Sequence, residues 1–297
     1  MTVSRRTFLQ TVAAAGLAAT PALAIEPIKR TGKSKLTLSL AAYSFNRYLN
    51  LKGKTKPQMT LEEFIDLGGT LELPAVELTQ YYFPKTSDEY LKEIAARCAK
   101  HKLAVSGTAV GNDFCHKDDA KRKAEVETVK RWSEHSAALG AKTMRIFAGR
   151  VAKGDSEAEA RKRCIDAIHE ACDHAAKYKV FLALENHGGI TETVDQMLAI
   201  VKAVKHDWFG VNLDSGNFRT PDPYGDLEKI APYAVVAQLK TEISPKGKKK
   251  EEADLGRLTK MLRDVGYQGY VALEYEAEED PKVAVPRYIK ELKKLMG

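Results

Sequence analysis

The chain has 297 residues and a formal net charge of +7 at pH 7, a size that suits two modest domains or one α/β barrel of ~250 residues. Beyond the first two dozen residues no apolar run approaches the ~20 residues that cross a bilayer, which excludes a membrane-embedded enzyme. Cys98, Cys115, Cys164 and Cys172 show no C-x-x-C spacing, so they form neither a disulfide framework nor a cysteine zinc site, although one disulfide stays compatible with the sequence.

The first 24 residues have the layout of a twin-arginine export signal. Ser4-Arg5-Arg6-Thr7-Phe8-Leu9 is a basic n-region, an alanine-rich stretch of modest hydrophobicity follows, and Ala22-Leu23-Ala24 fits cleavage after Ala24. Removing 24 of 297 residues leaves 273, and the formal charge falls from +7 to +5 because Arg5 and Arg6 leave with the signal. The expected mature protein, 25–297, is one periplasmic or secreted domain with no membrane partner. Much of the remaining positive charge sits in Lys246, Lys248, Lys249 and Lys250. Glu251, Glu252 and Asp254 follow at once, which reads as a solvated loop and not a nucleic-acid patch.

From there short apolar runs alternate eight times with amphipathic segments, and no linker interrupts them. The predicted strands are Leu36–Ala42, Ala75–Leu78, Leu103–Thr108, Thr143–Phe147, Val180–Leu184, Phe209–Leu213, Val235–Leu239 and Tyr270–Leu273. Thr60-Leu61-Glu62-Glu63 is a capping box and Ser87-Asp88-Glu89 a second helix start, while Gly140 and Gly266 stand where helices should stop. Runs apolar on consecutive residues, such as Val180 to Leu184, mark strands buried on both faces. Strict βα alternation implies parallel pairing with right-handed crossovers. Eight units, with no G-x-G-x-x-G turn after the first strand, favour a single-domain (β/α)8 TIM barrel over an open sheet.

Barrel enzymes work where the strands end, so the residues just after each apolar run carry the most information. Here the ends are acidic. Strand five leads into Glu185-Asn186-His187-Gly188-Gly189, strand six into Asp214-Ser215-Gly216-Asn217, strand seven carries Gln238-Leu239-Lys240, and strand eight leads into Glu274-Tyr275-Glu276. Carboxylates converging at one mouth need protonation, basic partners or a cation. A divalent metal on Glu185, Asp214, Gln238 and Glu274 answers that need with an all-oxygen donor set, which suits Mn²⁺, Mg²⁺ or Co²⁺ better than a thiol-rich zinc site. The competing reading is a buried ion network in which Lys142 or Lys240 neutralises the same acids. Around the mouth, His187, Lys240, Asn217, Asn112, Glu77 and Tyr43 are the candidate substrate contacts. His101, His135, His169, His174 and His206 lie within or at the end of predicted helices and read as non-catalytic.

Leu-Glu-Asn-His-Gly-Gly at strand five, Asn-Leu-Asp-Ser-Gly-Asn at six, Gln-Leu-Lys at seven and Ala-Leu-Glu at eight resemble the xylose isomerase-like superfamily of sugar phosphate isomerases and epimerases. Ala42-Tyr43-Ser44-Phe45 and Val76-Glu77-Leu78-Thr79 support the resemblance, which spans essentially the whole mature chain. It implies that Glu185 and Glu274 are metal ligands that also shuttle a proton on opposite faces of the substrate, with Asp214 and Gln238 as further ligands. One divalent ion is the implied cofactor, Mn²⁺ first, with Mg²⁺, Co²⁺ or Zn²⁺ as alternatives. Gln238 replaces the histidine of many members, and Asn217 replaces the histidine of the epimerases' D-x-x-H, which weakens a transfer of ketose-epimerase specificity.

The expected function is isomerisation or epimerisation of a non-phosphorylated sugar or keto-sugar through an enediolate. The alternative is a 3-keto-glycoside lyase on the same site, and a catalytically inactive sugar-binding barrel ranks lower because both glutamates are present. The DNA-repair endonuclease branch of the fold needs several zinc ions and many strand-end histidines, of which only His187 is one. The expected partner is a small sugar, with no nucleic acid, and a homo-oligomer is compatible with the sequence.

Overall fold

The computed structural model describes residues 26–53 and 56–297. The expected export signal, 1–24, lies outside the described residues. Eight parallel strands form the closed barrel: β1 (Lys35–Ala41), β2 (Ala75–Thr79), β3 (Ala104–Ala109), β4 (Thr143–Ile146), β5 (Phe181–Glu185), β6 (Phe209–Asp214), β7 (Ala234–Leu239) and β8 (Gln268–Leu273), in chain order around the ring with β8 paired to β1. The helices α1 (Leu61–Thr70), α2 (Asp88–Lys100), α3 (Asp119–Ala138), α4 (Glu157–Lys177), α5 (Val194–Ala203), α6 (Pro223–Ile230), α7 (Leu255–Asp264) and α8 (Pro281–Met296) alternate with the strands.

The local signals act as expected. Thr60 and Glu63 exchange side-chain to backbone hydrogen bonds in a capping box, and Ser87 accepts from Tyr90 N–H. Gly140 and Gly266 end their helices at φ +83° and +66°, which a β-carbon would strain. The (β/α)8 barrel read from the alternation is the fold observed, with strand boundaries displaced by a residue or two. β5 runs to Glu185 itself and β6 to Asp214, so both acids belong to the strands and not to the loops after them.

Two irregularities matter for the site. The β2–β3 register shifts between Val76 and Glu77, and the β6–β7 register between Val211 and Asn212. Such bulges re-aim the next side chain. Glu77 and Asn212 are both buried, at 1% and 0% exposure. After β7 the chain makes a small antiparallel hairpin, Glu242–Ile243 against Glu251–Glu252, where the sequence suggested only a loop. Two-residue strands are too short to show alternation.

Candidate active site at the barrel mouth

Glu77, Arg145, Glu185, Asn212, Asp214, Gln238, Lys240 and Glu274 come together at the strand ends of β2 and β4 to β8, each less than a tenth exposed. They fall into three linked groups. Glu185 is held at both oxygens: Asn217 Nδ2 donates to Oε1 at 2.8 Å, and Arg145 Nε lies 2.9 Å from Oε2. Arg145 is fixed in turn by a hydrogen bond from its Nη1 to the Val110 carbonyl at 2.8 Å and by the Tyr81 hydroxyl. Its guanidinium stacks 3.9 Å above the Phe147 ring.

Asp214 and Glu274 share Lys240, whose Nζ lies 3.2 Å from Asp214 Oδ2 and 3.3 Å from Glu274 Oε2 and also pairs with Glu276. Asp214 Oδ1 accepts the Gly216 N–H at 2.8 Å. Gly216 is needed there for space, since a β-carbon would stand 2.6 Å from Lys240 Cδ. Asn186 bonds both ways to the Asp214 backbone, which fixes the end of β6 against β5.

Gln238 belongs to a buried amide chain. Its Nε2 donates to Glu77 Oε1 at 2.6 Å, and its Oε1 accepts from Asn212 Nδ2 at 2.6 Å. The carboxylate opposite fixes the amide, so the carbonyl oxygen faces β6 and Asp214's strand.

The electrostatics follow from burial. Four buried carboxylates, Glu77, Glu185, Asp214 and Glu274, face two buried cations, Arg145 and Lys240. Burial pushes Glu77 up to about 7, with Glu274 adding repulsion. Burial also raises Glu185 to about 7 against the pull of Arg145, and lifts Asp214 well above the ordinary aspartate range against the pull of Lys240. Burial opposes the Lys240 charge, but Asp214, Glu274 and Glu276 outweigh it and hold the ammonium on.

The other expected contacts divide. His187 follows β5 and packs on Phe147 with ring centroids 4.3 Å apart. Burial, then Arg145 and Lys240, depress its pKa to about 4, so it is a neutral imidazole at physiological pH. Tyr43 is half-buried at the mouth, its hydroxyl proton held by burial and by Glu276 and Glu274. The Asn112 side chain is spent on structure: it bonds the Phe147 carbonyl at 2.8 Å and receives the Phe147 N–H at 2.9 Å. Arg145, Asn212 and Phe147 complete the group and were not singled out from the sequence, though an arginine inside the apolar run Thr143–Ile146 was a visible sign.

The donor chemistry suits a divalent cation. Among the described residues Asn212 Oδ1 is buried without a hydrogen-bond donor and Asp214 Oδ2 has only the Lys240 ammonium, and with all four carboxylates ionised the buried charge is short by two positive units. A hard cation takes such oxygens. Lys240 Nζ stands between Asp214 and Glu274, and among the described residues no cluster of three or more His, Cys, Asp or Glu already has metal-site spacing. A cation on Asp214 and Glu274 would compete with that ammonium, which also has Glu276 as a partner.

A closed parallel barrel with buried acids on its C-terminal strand ends defines the class, a (β/α)8 barrel with an acidic mouth. Residues 66–295 match the xylose isomerase-like TIM barrel family, and the chain belongs to it. Three solved structures show the same fold. A xylose isomerase domain protein from Planctomyces limnophilus is 18% identical with a TM-score of 0.66, over 89% of this chain and 97% of that one. The IolI protein with a bound zinc atom is 22% identical with a TM-score of 0.68, over 87% and 96%. The apo form of 3-keto-D-glucoside 4-epimerase from E. coli is 16% identical with a TM-score of 0.68, over 88% and 100%. A search of curated proteins gave no significant match.

Proposed function

We propose that the chain is a metal-dependent isomerase or epimerase of a non-phosphorylated sugar or keto-sugar, working through an enediolate. One observation carries the reading: Glu185, Asp214 and Glu274, with the Gln238 amide, are gathered on neighbouring strand ends with too little positive charge to neutralise them. Glu185, Asp214, Gln238 and Glu274 would hold one divalent cation, Mn²⁺ ahead of Mg²⁺, Co²⁺ and Zn²⁺. Such a cation polarises a bound carbonyl and hydroxyl and so acidifies the C–H between them.

The protein's own groups then divide the work. Arg145 and Asn217 fix both oxygens of Glu185, so its direction is set before substrate arrives. Among the described residues Glu274 has Lys240 as its one ion-pair partner and is the freer carboxylate. One of the two takes the proton and the other returns it. Return to the opposite face epimerises, and return to the neighbouring carbon isomerises. Neutral His187 is a hydrogen-bonding partner for a sugar hydroxyl, and half-buried Tyr43 offers another. The twin-arginine pattern in the sequence supports a reaction in the periplasm or outside the cell, where a non-phosphorylated substrate fits.

The test is an NMR screen of keto-sugars with the Mn²⁺-loaded protein in D₂O. Deuterium appearing at one carbon locates the proton transfer. No exchange in any sugar, with metal demonstrably bound, would sink the reading.

A second reading, a 3-keto-glycoside lyase, draws on Lys240, an ammonium beside Glu274 and Glu276 in reach of a departing oxygen. Aglycone release from a 3-keto-glycoside supports it, and isomerised or epimerised product without release discards it.

A further inference from the structure

Two of the four cysteines meet. Cys98 and Cys172 are buried in α2 and α4, the latter near the Trp208 carbonyl. Cys115 lies in the loop after β3 and Cys164 in the second turn of α4, both with no exposed surface, and their thiols are hydrogen-bonded to each other. Cys115 Sγ also points at the Ala148 carbonyl at 3.4 Å.

The backbone on either side is already fixed. Asp113 Oδ1 accepts the Cys115 N–H at 2.8 Å. Arg163, the chain neighbour of Cys164, donates from Nη2 to the Cys115 carbonyl at 3.1 Å and pairs with Asp155. The loop carrying Cys115 is thus held against the start of α4 with the two thiols facing each other, and the fold has already met the entropy of closing the loop between them.

We propose that Cys115 and Cys164 form an oxidisable dithiol site that closes to an intramolecular disulfide when the protein meets a disulfide oxidant. One thiolate attacks a sulfur of the external disulfide and expels one thiol. The second protein thiolate then attacks the mixed disulfide and expels the other. The two protein thiols lose two electrons and two protons, and the external disulfide gains them. The bond staples the loop carrying Asn112 and Asp113 onto α4. Because both sulfurs are buried, exchange runs through opening of that loop, so it is slow in the native protein and faster in mild denaturant.

The experiment uses the full chain, reduced, then incubated with glutathione disulfide at a urea concentration below the unfolding transition. After full denaturation the free thiols are alkylated with iodoacetamide and the intact mass is read. The expected result is two alkylated cysteines of the four, a linked peptide joining Cys115 to Cys164, and a Tm higher than that of the reduced protein by roughly 5–15 °C. Cys115→Ser and Cys164→Ser each abolish the linkage, while Cys98→Ser and Cys172→Ser leave it. If a serine variant fails to fold, the peptide map of the unaltered chain decides alone. Four alkylated cysteines after oxidation, glutathione adducts without the linkage, or a linkage through Cys98 or Cys172 would overturn the proposal.

Discussion

Lys240 is the residue on which the charge balance of the mouth turns. Its stem passes over Gly216, and its ammonium lies between Asp214 and Glu274. Lys240→Met keeps most of the volume and removes the charge, which leaves two buried carboxylates without their shared cation. A loss of about 3–5 kcal/mol is expected for the metal-free protein. If the acids bind a divalent ion, Mn²⁺ should restore more stability to Lys240→Met than to the unaltered protein, because no ammonium competes for Asp214 and Glu274. Denaturant melts with and without Mn²⁺ check this, and equal gains in the two proteins would refute the competition. For Glu274, replacement by Gln keeps the shape and a metal-capable oxygen but removes the base. Turnover should fall about 10²–10⁴-fold while KM changes little; unaltered kcat would remove Glu274 from the proton transfer.

At the scale of elements, the capping box at α1 gives a direct test of local design. Thr60→Ala removes the Oγ1 acceptor for Glu63 N–H and keeps only the other half of the box, the bond from the residue-60 backbone N–H to Glu63. Because the box is exposed, the expected cost is about 1 kcal/mol, a Tm fall of roughly 2–4 °C, with kcat unchanged. These elements were legible because each rests on short-range chemistry: apolar runs for strands buried on two faces, Thr60 and Ser87 for starts, Gly140 and Gly266 for stops. The acids of β5, β6 and β8 were legible for a related reason, since a parallel barrel converts position along the strand into position at the mouth. Arg145 was hidden because it lies within β4, where attention to residues after the strand passes over it. The roles of Glu77 and Asn212 depend on register shifts between strands far apart in sequence, which no single run of residues reveals. The two readings of the acids, ion network or metal site, meet in Lys240: the network is present, and with every acid ionised it leaves two negative charges over.

Across the whole molecule that imbalance appears as a pH dependence with a definite sign. Glu77 and Glu185 titrate at about 7 when folded, against 4.5 for an unperturbed glutamate. Between those values the folded protein binds more protons than the unfolded chain. Stability therefore declines as pH rises through the window. The contribution is fully present below about pH 4.5 and gone above about pH 7, the reverse of a salt-bridged carboxylate with a depressed pKa. Exposed pairs such as Asp66 with Arg97 work the other way, but they lie at the surface and contribute little. Metal-free protein, prepared with a chelator, should thus lose unfolding free energy from pH 5 to pH 7.5. A saturating divalent cation favours the ionised carboxylates, so it should flatten or invert that slope and should bind more weakly at pH 5 than at pH 7.5. Urea melts at several pH values, with chelator and with Mn²⁺, measure both slopes. A metal-free slope that rises with pH would mean that Arg145 and Lys240 already neutralise the mouth. That outcome would turn the acids of β5, β6 and β8 from a cation site into a closed ion network.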